Sequence, residues 1–163
     1  MPGWREFAEQ APRIAAVFHR RHQATGHLCL LGTLRRDGSP RISPIESHIF
    51  EDELWLGGMP RTVKFADLVR DPRFELHTAT IDPRVGDGDA KVWGVVEDVL
   101  DPDLHARYAQ ALFDETGFDL RGRPFEHLFR ADLIGGASVH VGGGHLDLTS
   151  WVHGSPERVV RKH

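Results

Sequence analysis

The chain is poor in several features that carry chemistry elsewhere. It has one cysteine, Cys29, set within LCLL. A lone Cys forms no internal disulfide, and apolar flanks mark it as a small buried residue rather than a nucleophile. No apolar run approaches the ~18 residues of a membrane span. Neither sign of charge dominates: 20 Lys and Arg stand against 24 Asp and Glu, a net charge of −4. That balance weighs against general binding of nucleic acid or anionic membrane, while a local basic site stays open. There is no HExxH and no Cys/His cluster, so the eleven histidines imply no metal site. His19 and His22 fall near a helix end, and His140 and His145 flank VGGGH. The glycines at 135–136 and 142–144 lack a strand–loop–helix context and read as hairpin chemistry. Ser43 has no legible His-Asp partnership. The opening MPGWREFAEQ is acidic and amphipathic, unlike a secretory signal, so a cytoplasmic protein is expected.

What remains is an ordinary globular composition, 40% hydrophobic and 27% charged over 163 residues. It suggests a single domain, residues 1–163, with a helical segment at about 4–24 and a barrel at about 27–162. Trp4, Phe7, Ala11, Ile14 and Phe18 recur at helical spacing. Pro12 suits a first turn, so a short turn from Trp4 precedes a helix from about Pro12 to His22. HLCLLGTLRR, SPRISPIESHIF and ELWLGG follow as a three-strand meander, with turns at Asp37-Gly38 and Glu51-Asp52. A helix over Val63–Arg70 stops at Asp71-Pro72. RFELHTATI and AKVWGVVEDVL are further strands around the polar loop DPRVGDGD. DPDLHARYAQALFDET is a helix, RPFEHLFRA a short helix, and LIGGASVHVGGGHLDLTSW two strands about a Gly-rich turn. PERVVRKH holds a last short strand. Six or seven strands joined by hairpins, with few helices, predict a mainly β fold: an antiparallel barrel with peripheral helices. Trp55 and the aromatics Phe113, Phe118, Phe125 and Phe129 are expected to pack in or against that barrel.

The stretch GGMPRTVKFADLV carries the sharpest signal. With Thr62 as N-cap, Lys64 lies in the first helical turn and Arg61 just before it. Cations there oppose the helix dipole by a few tenths of a kcal/mol, up to about 1 kcal/mol each. A bound anion reverses the sign. Free backbone N–H groups, two cations and a hydroxyl would converge on one phosphate. Gly57 and Gly58 permit close approach at the strand's end.

The run GSPRISPIESHIFEDELWLGGMPRTVKFADLVRDPRFEL resembles the pyridoxamine 5′-phosphate oxidase-like family of flavin- or deazaflavin-binding split barrels. Residues 28–76 match closely, and the remainder matches in layout. The resemblance implies a split β-barrel and a homodimer with cofactor at the interface. It sets Arg41, Ile42 and Ser43 along the ring and ribityl chain, partly through backbone. It sets Gly58 and Met59 beside them, and Thr62, Val63 and Lys64 at the phosphate, with Arg61 compensating for a cation missing at Val63. Lys91 matches a polar position near the ring. Trp151 matches a C-terminal tryptophan of the true oxidases, and Arg161 their C-terminal arginine.

The phosphate segment departs from that of the true oxidases, and their basic substrate-phosphate motif is not apparent. Vitamin-B6 oxidation is therefore not implied. The form resembles a smaller branch that uses FMN or the deazaflavin coenzyme F-420. The implied activity is an FMN-dependent oxidoreductase that transfers hydride at the flavin ring with a small-molecule substrate. The alternatives are a coenzyme F-420-dependent reductase and a non-catalytic module for flavin or haem. No catalytic residue stands out.

Overall fold

The computed structural model describes residues 2–163. Two helices, α1 (Trp4–Gln10) and α2 (Pro12–Ala24), precede strands β1 (Leu28–Leu34), β2 (Pro40–Phe50) and β3 (Glu53–Leu56). Helix α3 (Val63–Arg70) leads to β4 (Arg73–Thr78) and β5 (Asp89–Asp98). Helix α4 (Pro102–Thr116) is followed by β6 (Phe129–Gly142), β7 (His145–Val152) and β8 (Arg158–Lys162). The strands form one antiparallel sheet in the order β3-β2-β1-β4-β5-β6-β7-β8. Pairing of β3 with β6 closes the first six into a barrel, leaving β7 and β8 as a ribbon beyond β6. This is the expected split-barrel architecture with peripheral helices.

Alternation along the strands builds the interior. Cys29, Leu31 and Thr33 of β1, and Ala90, Val92 and Val96 of β5, are buried. Burial pushes the Cys29 thiol up to about 11, so it is inert packing at neutral pH. At Gly94 the register shifts, and a Cβ there would fall 1.8 Å from the Asp132 carbonyl oxygen. Only glycine fits that bulge. The β2–β3 turn puts Glu51 and Asp52 at positive φ, 48° and 62°, the backbone of a two-residue hairpin turn.

Helices α1 and α2 pack Phe7, Ile14 and Phe18 into the main core with Trp151. A smaller cluster of Trp55, Leu104, Tyr108, Leu112 and Leu128 seats α4 against the barrel. Trp55 is thus core, and its Nε1–H donates to the Phe50 carbonyl at 2.9 Å. Asp101 caps α4 by accepting from the Asp103 N–H, and Gly117 ends it at φ 75°.

The short helix expected over RPFEHLFRA does not form. Residues 121–128 run as turns and irregular backbone, and Phe129 already begins β6. The Leu128 N–H goes to the Asp98 carboxylate, and Phe129 pairs with both Leu56 and Asp98. Barrel closure takes the backbone hydrogen bonds that a helix would need. Phe118 is also misplaced by the sequence reading: it is 60% exposed rather than packed on the barrel. Phe129 and, in part, Phe125 do pack.

Candidate functional site

The chain leaves β3 at Leu56 and reaches α3 through residues 57–62. The helix forms because Phe65 and Leu68 bury one face. Its start is unusual. Thr62 has extended backbone, φ −84° and ψ 149°, but its side chain makes no capping bond. The Thr62 Oγ1 is buried with no partner. Arg61 takes a left-handed φ of 59°, and its N–H donates to Glu126 Oε2 at 2.6 Å. Non-glycine residues hold such a backbone only where the surroundings enforce it.

This start opens on a cavity of about 820 Å³, a size that suits a drug-sized or cofactor-sized molecule. Leu28, Pro44, Ile45, Met59, Leu120 and Phe125 give it apolar walls. Lys64 and Arg123 are its cations, and Glu46 and Glu126 its carboxylates. Gly57 and Gly58 form part of the wall. A Cβ on Gly57 would lie 3.2 Å from Leu128 and 3.3 Å from the Tyr108 hydroxyl, so glycine lets this loop lie tight on the core. A smaller hollow of about 240 Å³ shares Glu126 and is lined by Arg61, Thr62, Val63 and His127.

Of the residues singled out in the sequence, Gly58, Met59 and Lys64 line the large cavity, and Arg61, Thr62 and Val63 the smaller hollow. The others lie apart. Arg41 donates from Nε to Asp67 Oδ2 at 2.7 Å, tying β2 to α3. Ile42 is 74% exposed on the outer barrel surface. Ser43 is half-buried on β2, opposite Leu31. Lys91 pairs with Glu75 at 2.8 Å and lies over the Trp93 ring. Trp151 is 1% exposed and packs edge-on against Phe7 at 5.2 Å, so its side chain belongs to the core of this chain.

Sequence reasoning missed the other wall of the cavity. Phe118, Leu120, Arg123, Pro124 and Glu126 come from the α4–β6 connection. The signal was the Gly/Arg/Pro run after the α4 stop, which fits a loop better than a helix.

Asp67 illustrates the opposite polar environment. Burial opposes its charge, but hydrogen bonds from Arg41, Thr33 and Arg70 outweigh this and hold the carboxyl below its usual range. Thr33 Oγ1 donates to Oδ2 at 2.8 Å and Arg70 to Oδ1 at 3.0 Å.

A second polar group lies between the α2–β1 turn, β2 and α4. The His22 and His27 rings stack at 4.5 Å, and His48 meets His27 edge-on at 5.0 Å. His27 Nε2 lies 3.1 Å from Glu115 Oε1. Burial lowers His22 to about 4, outweighing its bond to the Ser47 carbonyl. Burial also lowers His48 to about 4, with the neighbouring His27 adding to it. Both rings are therefore neutral at neutral pH.

Comparison with known proteins bears on the fold. No family model matches the chain, and no curated protein matches it. Among solved structures it is similar to a pyridoxamine 5′-phosphate oxidase-related, FMN-binding protein from Nostoc punctiforme, at 14% identity, covering 94% of this chain and 96% of that one with a TM-score of 0.60. A heme-binding protein from Mycobacterium smegmatis is similar at 22% identity, covering 88% of this chain and 57% of that one, TM-score 0.60. Campylobacter jejuni ChuZ is similar at 12% identity, covering 85% and 61%, TM-score 0.64. The chain therefore has the split-barrel fold found among pyridoxamine 5′-phosphate oxidase-related proteins. At these identities the likeness speaks for the fold alone.

Proposed function

We propose that this protein binds FMN in the large cavity and acts as a flavin-dependent oxidoreductase on a small molecule. The observation that carries the reading is the α3 start. A buried hydroxyl without a partner, Thr62 Oγ1, stands two residues from a cavity-lining cation, Lys64. Leaving such a hydroxyl unpaired costs about 1–3 kcal/mol, and a phosphate oxygen would satisfy it. Thr62, Lys64 and the first turn of α3 would hold the phosphate, with the isoalloxazine against the apolar wall of Ile45, Met59 and Phe125. Bound flavin supplies hydride transfer, while the protein binds it, orients it and excludes water. The same grip would accept the ribityl phosphate of coenzyme F-420. The FMN-binding neighbour supports the flavin choice.

A non-catalytic carrier for flavin or haem has comparable support, because a neighbour is a heme-binding protein and Lys64 and Arg123 are two cations suited to two propionates. Against haem, no histidine lines the large cavity among the described residues, and Met59 is its one sulfur donor. The reading extends to a homodimer, supported by the apolar outer surface at Leu30 and Ile42, 41% and 74% exposed. Ile42→Glu should then turn a dimer into a monomer by light scattering. An unchanged mass would remove this face from the interface.

Titration of the desalted protein with FMN, coenzyme F-420 and haemin separates the cofactors. Reduction of an acceptor by the FMN-loaded protein with a supplied reductant separates enzyme from carrier. Binding of haemin alone would overturn the flavin reading.

A further inference from the structure

The histidine group beside α4 serves no role in the cavity just described. Its members come from three elements: His27 from the α2–β1 turn, His48 from β2 and Glu115 from the last turn of α4. One donor atom from each lies within 4.8 Å of the others. The individual approaches are 3.1 Å from His27 Nε2 and 4.0 Å from His48 Nδ1 to the two Glu115 oxygens. Ligand atoms of a tetrahedral site with ~2.0–2.1 Å bonds stand ~3.4 Å apart, so the widest separation, up to 4.8 Å, must close by about 1.4 Å, a movement that rotation of the half-exposed Glu115 side chain can supply.

One further observation points to a ligand, and another shows how the site is held in place. His48 is 93% buried by its 7% exposure, and its Nδ1, the nitrogen facing Glu115, has no hydrogen-bond partner. His27 is held at φ 69°, a left-handed backbone rare outside glycine. Its N–H goes to the His22 carbonyl at 2.8 Å, and its carbonyl accepts the Ser47 N–H at 3.1 Å. The strained backbone is thus fixed on both sides, and it aims the ring at Glu115. The Glu115 side chain is 47% exposed, which leaves a route for an ion from solvent.

We infer that His27 Nε2, His48 Nδ1 and the Glu115 carboxylate form a binding site for one divalent transition-metal ion of the Zn²⁺ kind, with a fourth position open to solvent. Two imidazoles and a carboxylate suit zinc or cobalt better than calcium or magnesium, which take oxygen ligands. The site is independent of the flavin reading, because none of its three residues lines either hollow.

The test is a titration of the full-length protein with Co²⁺ in a non-chelating buffer, followed by the visible d–d absorption, with Zn²⁺ competition. One Co²⁺ per chain should bind and be displaced by Zn²⁺. His48→Gln should weaken it at least tenfold and Glu115→Gln at least fivefold, while His145→Gln leaves it unchanged. Glu115→Gln alters an exposed side chain, so it should melt within about 2 °C of wild type without metal. It should also lose the rise in melting temperature that Zn²⁺ gives the wild type, since a ligand of the folded state raises stability by mass action. Absence of a cobalt band, wild-type affinity in His48→Gln and Glu115→Gln, or a loss on His145→Gln would each overturn the assignment.

Discussion

The two ends of helix α3 treat polar groups in opposite ways. In the middle and at its C-terminal end, Asp67 is buried and fully engaged by Arg41, Thr33 and Arg70. At its start, Thr62 Oγ1 is buried and engaged by nothing. The same eight-residue helix thus carries one saturated and one unsaturated polar centre. The saturated centre is structural: it fastens β1, β2 and α3 together. The unsaturated one belongs to a residue that lines the smaller hollow with Arg61, two residues before Lys64 on the wall of the large cavity. Complete partners explain the burial of Asp67 by architecture alone, whereas Thr62 Oγ1, like the few other buried groups without a partner, calls for a separate explanation, and the proposed phosphate supplies one.

The largest effect should come from breaking the saturated end. Asp67→Asn leaves Arg41 and Arg70 without their carboxylate and should cost roughly 3 kcal/mol, a drop in melting temperature of about 6–12 °C at this chain length. The acid limb sharpens this. The folded carboxyl is held below its unfolded value near 3.9. Its contribution is complete above that value and lost as pH falls through the folded one, where the unfolded chain binds the extra proton. The stability gap between wild type and Asp67→Asn should therefore be constant from pH 7 to 5 and narrow below pH 4 in denaturant titrations. A gap that widened in acid would mean that Asp67 is not the charged centre of the network.

Breaking the unsaturated end should spare the fold and cost affinity. Lys64→Ala should weaken FMN at least tenfold, about 1.4 kcal/mol, with the melting temperature within about 2 °C of wild type. Thr62→Val should do less to binding, about fivefold or roughly 1 kcal/mol. In the cofactor-free protein it should melt at or above the wild-type temperature, because it removes a buried hydroxyl that has no partner. A clear loss of stability in Thr62→Val would mean that the hydroxyl is a helix cap after all.

Much of this was legible in the sequence where local chemistry decides structure. Alternation in LCLLGTL and AKVWGVV, the Asp37-Gly38 and Glu51-Asp52 turns, and the apolar face of Val63–Arg70 suffice to predict the barrel and α3. Gly58, Met59 and Lys64, singled out by a motif contiguous in the chain, line one cavity. What was not legible depends on distant partners. The segment RPFEHLFRA has helical spacing, but β3 and β5 claim Phe129 as a strand residue. Arg41 reads as a ligand contact until Asp67 of α3 is brought against it. His27, His48 and Glu115 have no motif spacing, and only the fold collects them.

Whether the start of α3 holds a phosphate is decided by parallel FMN titrations of wild type and Lys64→Ala, followed by flavin fluorescence. Saturable micromolar binding by the wild type, weakened at least tenfold in the variant at equal melting temperature, is the predicted result. Failure of the wild type to bind FMN, or equal affinity in the two proteins, would contradict it.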